Sequence, residues 1–125
     1  MQLLESGEMY LETIYRLSQT QNAVRSLDVA LALGFSKPSV SRAVGILKSG
    51  GFLVMDVDNY LSLTELGLEV AKKIYERHML LTACLLELGV NEETATEDAC
   101  KIEHVISDAS IEAIKRFVER KSSEI

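Results

Sequence analysis

The run "CKIEH" at positions 100–104 places a thiol, a carboxylate and an imidazole within five residues. On an α-helix turning 100° per residue, Glu103 falls about 60° to one side of Cys100 and His104 about 40° to the other. All three then share a face on which one divalent ion could touch sulfur, oxygen and nitrogen donors. Ala95, Ala99, Ile102, Val105 and Ile106 fall on the opposite face, so the donor face is not the core stripe of this helix. The plain alternative is a surface pattern with no ligand.

Three more residues extend the donor inventory. His78 is the other of the chain's 2 histidines. Helical spacing groups it with Ala71, Ile74, Leu81 and Leu85, so it points inward, where an imidazole needs a hydrogen-bond partner or a metal. Taken singly, a satisfied core histidine is the commoner case. Met9 and Glu12 lie side by side on the first helix, away from the apolar face centred on Tyr10, Leu11, Ile14 and Leu17. A methionine is usually a core gap-filler, although its thioether is also a soft donor. No HExxH, nucleophile elbow or phosphate-binding glycine loop accompanies these residues, which argues against an enzyme.

Elements to hold such a site can be read along the chain. Ser6 is the expected N-cap of a helix over about 7–19. Ser26 caps a short helix ended by Gly34, and Ser36 caps a helix to about Lys48, with Pro38 in its permissive first turn. "SGG" stops that helix. "FLVMDV" and "YLSLT" then read as a hairpin around Asp58 and Asn59. Thr64 caps a long helix over about 65–88, Asn91 caps another over about 92–106, and Ser107 or Ser110 starts the last. The fold class is therefore mainly α: a winged helix-turn-helix domain with a small β-hairpin over residues 1–63, followed by an all-helical domain over residues 64–125.

Residues 26–48 form helix, short turn and helix, which is the helix-turn-helix pattern. In its second helix Val40, Val44 and Leu47 point inward, leaving Pro38, Ser39, Ser41 and Arg42 outward. Small hydroxyls allow close approach to a DNA major groove, and Arg42 could reach a guanine edge or a phosphate. Ser36 and Lys37 stand at the helix N-terminus, where backbone N–H groups favour phosphate. A net charge of −6 over 125 residues argues against nucleic acid, but the distribution does not. No acid occurs between Asp28 and Asp56, and that window, with Lys37, Arg42 and Lys48, carries +3 while the other residues carry −9. A weakly basic patch on an acidic body suits a binder whose affinity is regulated.

The longest apolar run, "MLLTACLL" at 79–86, is far below the roughly 18–20 residues of a membrane span. With no export signal, the 2 cysteines are expected as thiols in a reducing cytoplasm rather than as a disulfide.

"MYLETIYRL", "FSKPSVSRAVGILKSGGFLV", "LTELG", "RHMLL" and "EDACKIEHVIS" together resemble the diphtheria toxin repressor family, which includes the manganese transport regulators. The resemblance runs over about residues 6–118. It implies a winged helix followed by a helical dimerisation domain, a homodimer, a double-stranded DNA operator and a divalent transition metal as co-repressor. Met9, Cys100, Glu103 and His104 match the primary site of the iron-responsive branch. His78 matches a ligand of both branches, and Glu12 a ligand of the manganese branch, in which positions 9 and 100 would be carboxylates. Ser36, Pro38, Ser39, Ser41 and Arg42 fall on the family's recognition helix. Thr82 and Thr96 stand where the iron branch has further ligands, and the sequence stops at Ile125 as the short members do, so a two-domain member without the SH3-like third domain is expected. Soft sulfur donors favour Fe2+, Co2+, Ni2+ or Zn2+ over Mn2+. Fe2+ is the expected ion, and the expected function is metal-activated repression of metal-homeostasis genes. A metal-independent winged-helix regulator and a manganese-responsive member are the alternatives.

Overall fold

The computed structural model describes residues 5–123, which divide into two compact units meeting at Lys72 and Lys73.

The first unit begins with α1 (Glu5–Ser18), α2 (Ser26–Leu33) and α3 (Lys37–Ser49). Each helix contributes an apolar stripe to one core: Leu11 and Ile14 from α1, Val29 from α2, and Val40, Val44 and Leu47 from α3. Gly34 takes φ +71°, a left-handed conformation that side chains resist, and its N–H reaches Ala30 O at 2.8 Å. This left-handed turn ends α2 and leads the chain into α3. Ser36 then caps α3 by accepting the Ser39 N–H at 3.3 Å, with Pro38 inside the first turn.

The hairpin is short. Strands β1 (Leu53–Met55) and β2 (Leu61–Leu63) pair antiparallel, with Leu53 opposite Leu63. Asp56 Oδ1 accepts the N–H groups of Asp58 and Tyr60, and Asn59 supplies a left-handed turn residue at φ +66°. Leu53 and Leu61 face the core while Val54 and Val57 are exposed. The Leu61 N–H also reaches Val24 O at 2.7 Å, a bridge that no alternating apolar run announces. Arg25 lies over the Tyr60 ring at 4.4 Å, adding a cation–π contact between the hairpin and the start of α2.

Helix α4 (Glu65–Glu87) starts in the first unit and continues into the second. Thr64 sets its start: its hydroxyl donates to Gly51 O at 2.7 Å and accepts the Gly67 N–H at 3.1 Å. In the second unit α4 packs with α5 (Glu92–Ile102) and α6 (Asp108–Ser123) around Leu81, Ala99 and Ile111. Asn91 caps α5 through the Thr94 N–H at 2.9 Å, and Ser107 accepts the Ser110 N–H at 3.1 Å in the first turn of α6.

Three expectations are corrected. Ser6 lies inside α1 rather than at its cap. Arg25, not Ser26, holds the N-cap position of α2, because the Asp28 carboxylate accepts the Arg25 backbone N–H at 2.8 Å. Helix α5 ends at Ile102 rather than near 106, and Val105, expected to face inward, is 68% exposed. Ser107 already opens α6, and across the intervening turn the Arg77 guanidinium on α4 takes the carbonyls of Glu103 and Ile106. No helix among the described residues is long and apolar enough to cross a membrane.

Candidate metal centre and nucleic-acid interface

Helix α4 carries His78 inward, beside Ile74 and Leu81. Helix α5 carries Cys100 in its last turn, and Glu103 occupies its C-cap position. The Glu103 carboxylate is 1% exposed, an expensive place for a charge unless it is partnered. Both of its oxygens are. Oε2 lies 2.9 Å from His78 Nδ1 and Oε1 lies 3.4 Å from His104 Nε2. Cys100 Sγ stands 3.7 Å from the same His78 Nδ1.

One donor atom from each of His78, Cys100 and Glu103 therefore falls within 4.8 Å of the others. A tetrahedral shell of bonds near 2.0–2.3 Å separates its donors by roughly 3.3–3.8 Å. The observed spacing needs little adjustment to meet that, and the donor set of imidazole, thiolate and carboxylate suits a divalent transition ion.

The four residues brought together are thus His78, Cys100, Glu103 and His104, with His104 joined through the second Glu103 oxygen rather than inside the three-residue cluster. The common face expected for "CKIEH" survives for Cys100 and Glu103 although the helix ends between them. Met9 and Glu12 belong to the first unit. Met9 is half-buried, and Glu12 is buried, with Oε2 lacking a hydrogen-bond partner and Arg16 at 3.9 Å. Thr82 Oγ1 is likewise buried without a hydrogen bond, and Thr96 is exposed.

Two titrations are displaced. Burial pushes the half-buried Cys84 thiol above its ordinary range. The Arg77 hydrogen bond, with Lys73 beside it, holds the Asp108 carboxyl below its ordinary value.

On the first unit, Ser36, Lys37, Pro38, Ser39, Ser41 and Arg42 are all exposed along the start of α3. Ser36 Oγ donates to Ser39 Oγ at 2.8 Å, which fixes both hydroxyls. Sequence reasoning stopped short of the rest of this face. Arg42, Gly45, Ile46, Ser49 and Gly50 line an open groove along it, and Ile46 is exposed. The signal was available: positions 42, 45, 46 and 49 share one side of a helix. Arg77 was also missed, although a guanidinium in an Ile74–Leu81 stripe must find acceptors.

A profile described as "Iron dependent repressor, N-terminal DNA binding domain" matches residues 2–61, and one described as "Iron dependent repressor, metal binding and dimerisation domain" matches residues 64–123. An uncharacterized HTH-type transcriptional regulator of Methanocaldococcus jannaschii is 36% identical over 118 residues, covering 93% of this chain and 94% of that protein. The HTH-type transcriptional regulator MntR of Lysinibacillus sphaericus is 36% identical over 114 residues, covering 91% and 82%. Among solved structures, that of the manganese regulator SloR matches with a TM-score of 0.81 at 28% identity, covering 95% of this chain and 55% of that one. The chain thus spans about half the length of that solved structure.

Proposed function

This chain belongs to the iron-dependent repressor family of metal-dependent transcriptional regulators, and from that premise we propose that it is a metal-activated repressor reading cytoplasmic Fe2+. Family members are regulators rather than enzymes. The observation that carries the proposal is the convergence of His78 Nδ1, Cys100 Sγ and Glu103 Oε2 at the end of α5. His78, Cys100, Glu103 and His104 hold the ion, and Met9 and Glu12 on α1 stay in the ligand set on the family resemblance. A bound divalent ion supplies positive charge and directional bonds. The chain supplies a buried carboxylate whose position is fixed from both sides by imidazoles, and a thiolate open to solvent.

The sulfur donor favours Fe2+ over Mn2+. A manganese-responsive reading is supported by the names of MntR and SloR and by the buried Glu12 carboxylate. The dimerisation-domain profile over residues 64–123 supports a homodimer. Two recognition helices, one per protomer, would then read half-sites one DNA turn apart. Ser36, Lys37, Pro38, Ser39, Ser41 and Arg42 meet the operator, with the hairpin on the backbone. A nearly complete switch between weak and strong binding needs roughly 5 kcal/mol of differential metal affinity.

The test is fluorescence anisotropy of the reduced, anaerobic protein on double-stranded promoter DNA from its own genomic neighbourhood, at fixed salt. It is run with chelator and then with Fe2+, Mn2+ and Zn2+. Metal-dependent binding that Cys100→Ala loses is the expected result, and Met9→Leu and Glu12→Gln report whether α1 contributes donors. Tight binding in chelator, indifferent to Cys100, overturns the metal reading.

A further inference from the structure

The second unit contains a buried cation that the ligand set does not use. Arg77 is 8% exposed and stands directly before His78 on α4. Its Nη1 donates to the backbone carbonyls of Glu103 at 3.3 Å and Ile106 at 2.6 Å. Its Nη2 donates to the Asp108 carboxylate at the start of α6, and Lys73 approaches the same carboxylate at 3.4 Å. One guanidinium therefore joins three points across the α5–α6 turn.

We propose that Arg77 is a positioning residue for the metal centre, a clamp that holds the α5–α6 turn in the one arrangement where Glu103 can meet His78. The inference rests on the metal reading above. Its physical basis is that Arg77 and His78 are consecutive residues of one rigid helix. The turn held by Arg77 is the turn that carries Glu103 and His104. Anchoring the Glu103 carbonyl and the Glu103 carboxylate to neighbouring residues of α4 fixes that residue at both ends. Without the clamp, the carbonyls of Glu103 and Ile106 lose their side-chain donor, and the turn that carries Glu103 and His104 is free to shift against α4. Lysine cannot reproduce the clamp, since a point ammonium lacks the planar fork that spans two carbonyls and a carboxylate. Groups that orient a metal ligand typically govern about 10- to 100-fold in metal affinity.

The test uses Co2+ as the probe, because its visible spectrum reports geometry and its near-ultraviolet charge-transfer band reports thiolate ligation. Wild type, Cys100→Ala, Arg77→Lys, Asp108→Asn and Ile111→Val are titrated anaerobically, and their metal-free melting temperatures are recorded. Ile111→Val trims the same core without touching the turn, so it matches a loss of stability alone. Arg77→Lys is expected to weaken Co2+ binding about 10- to 100-fold and to alter the visible band. Asp108→Asn, which removes only the exposed arm of the clamp, is expected to shift affinity in the same direction by less. Ile111→Val is expected to keep the wild-type spectrum and affinity. If wild type shows no Cys100-dependent charge-transfer band, the metal reading falls and the clamp with it. If wild type shows the band and Arg77→Lys matches it in affinity and spectrum, the clamp alone is refuted. Should Arg77→Lys fail to fold, Asp108→Asn decides: an affinity equal to wild type overturns the proposal.

Discussion

Gly67→Ala is the substitution whose outcome the structure constrains most tightly. Gly67 is buried in the first turn of α4, against the backbone of Phe52 where the chain enters β1. A Cβ built on Gly67 would fall inside the envelope of the Phe52 carbonyl oxygen and 2.9 Å from its carbonyl carbon. These are backbone atoms, so no rotamer change relieves the overlap. The helix start and the strand entry must part, and overpacking of this kind costs about 1–3 kcal/mol. Parting them also strains two hydrogen bonds, from the Thr64 N–H to Phe52 O at 3.1 Å and from the Thr64 hydroxyl to Gly51 O at 2.7 Å. At about 0.5–1.5 kcal/mol each, the total loss is about 2–6 kcal/mol. For a chain of this size that lowers the melting temperature by roughly 6–24 °C.

Gly45→Ala is the internal control, because the same chemical change there has the opposite sign. Gly45 lies within α3 and an added Cβ meets nothing within 4 Å. Removing glycine from a helix interior gains about 0.5–1 kcal/mol. Circular-dichroism melts of the two variants under identical buffer therefore move apart. A Gly67→Ala protein that melts within about 2 °C of wild type would refute the close approach and the argument built on it. Since Gly45 lies on the groove beside Arg42, Gly45→Ala is also expected to weaken operator binding while raising stability.

Two further outcomes follow from the displaced titrations. Asp108 is held below its ordinary value of 3.8, mainly by the Arg77 hydrogen bond, so its contribution is complete above that pH and disappears as pH falls through the lower folded value. Wild type should accordingly be more stable than Asp108→Asn at pH 6, with the two denaturation curves converging in strong acid; a gap that persists there contradicts the assignment. Burial raises the Cys84 thiol, and the thiolate is the reactive form, so a short pulse of iodoacetamide at pH 7.5 should label exposed Cys100 well before Cys84. Mass spectrometry reads the order, and added Zn2+ should protect Cys100 alone.

Much of the molecule is determined by local chemistry and was legible in one dimension. Ser36, Thr64 and Asn91 cap helices because their side-chain oxygens satisfy the first free N–H groups. Gly34 and Asn59 mark turns because each adopts a positive φ. The inward place of His78 and the outward place of Arg42 follow from helical periodicity. The family resemblance was carried by the same short motifs.

Other features depend on groups far apart in the chain, and only the tertiary structure decided them. Helix α5 stops at Ile102, and beyond it a guanidinium from α4 takes the carbonyls of Glu103 and Ile106, 26 and 29 residues further on. The bridge from Leu61 to Val24 has no periodic signal, since it pairs a single residue with the end of a loop. Gly67 reads in sequence as an ordinary helix glycine; what makes it indispensable is the Phe52 carbonyl pressed against it. Spacing along one helix nominated Cys100, Glu103 and His104 as a group. That His78 Nδ1 reaches both Cys100 Sγ and Glu103 Oε2 is a property of how α4 and α5 pack, because donor convergence is set by side-chain directions across an interface rather than by residue order.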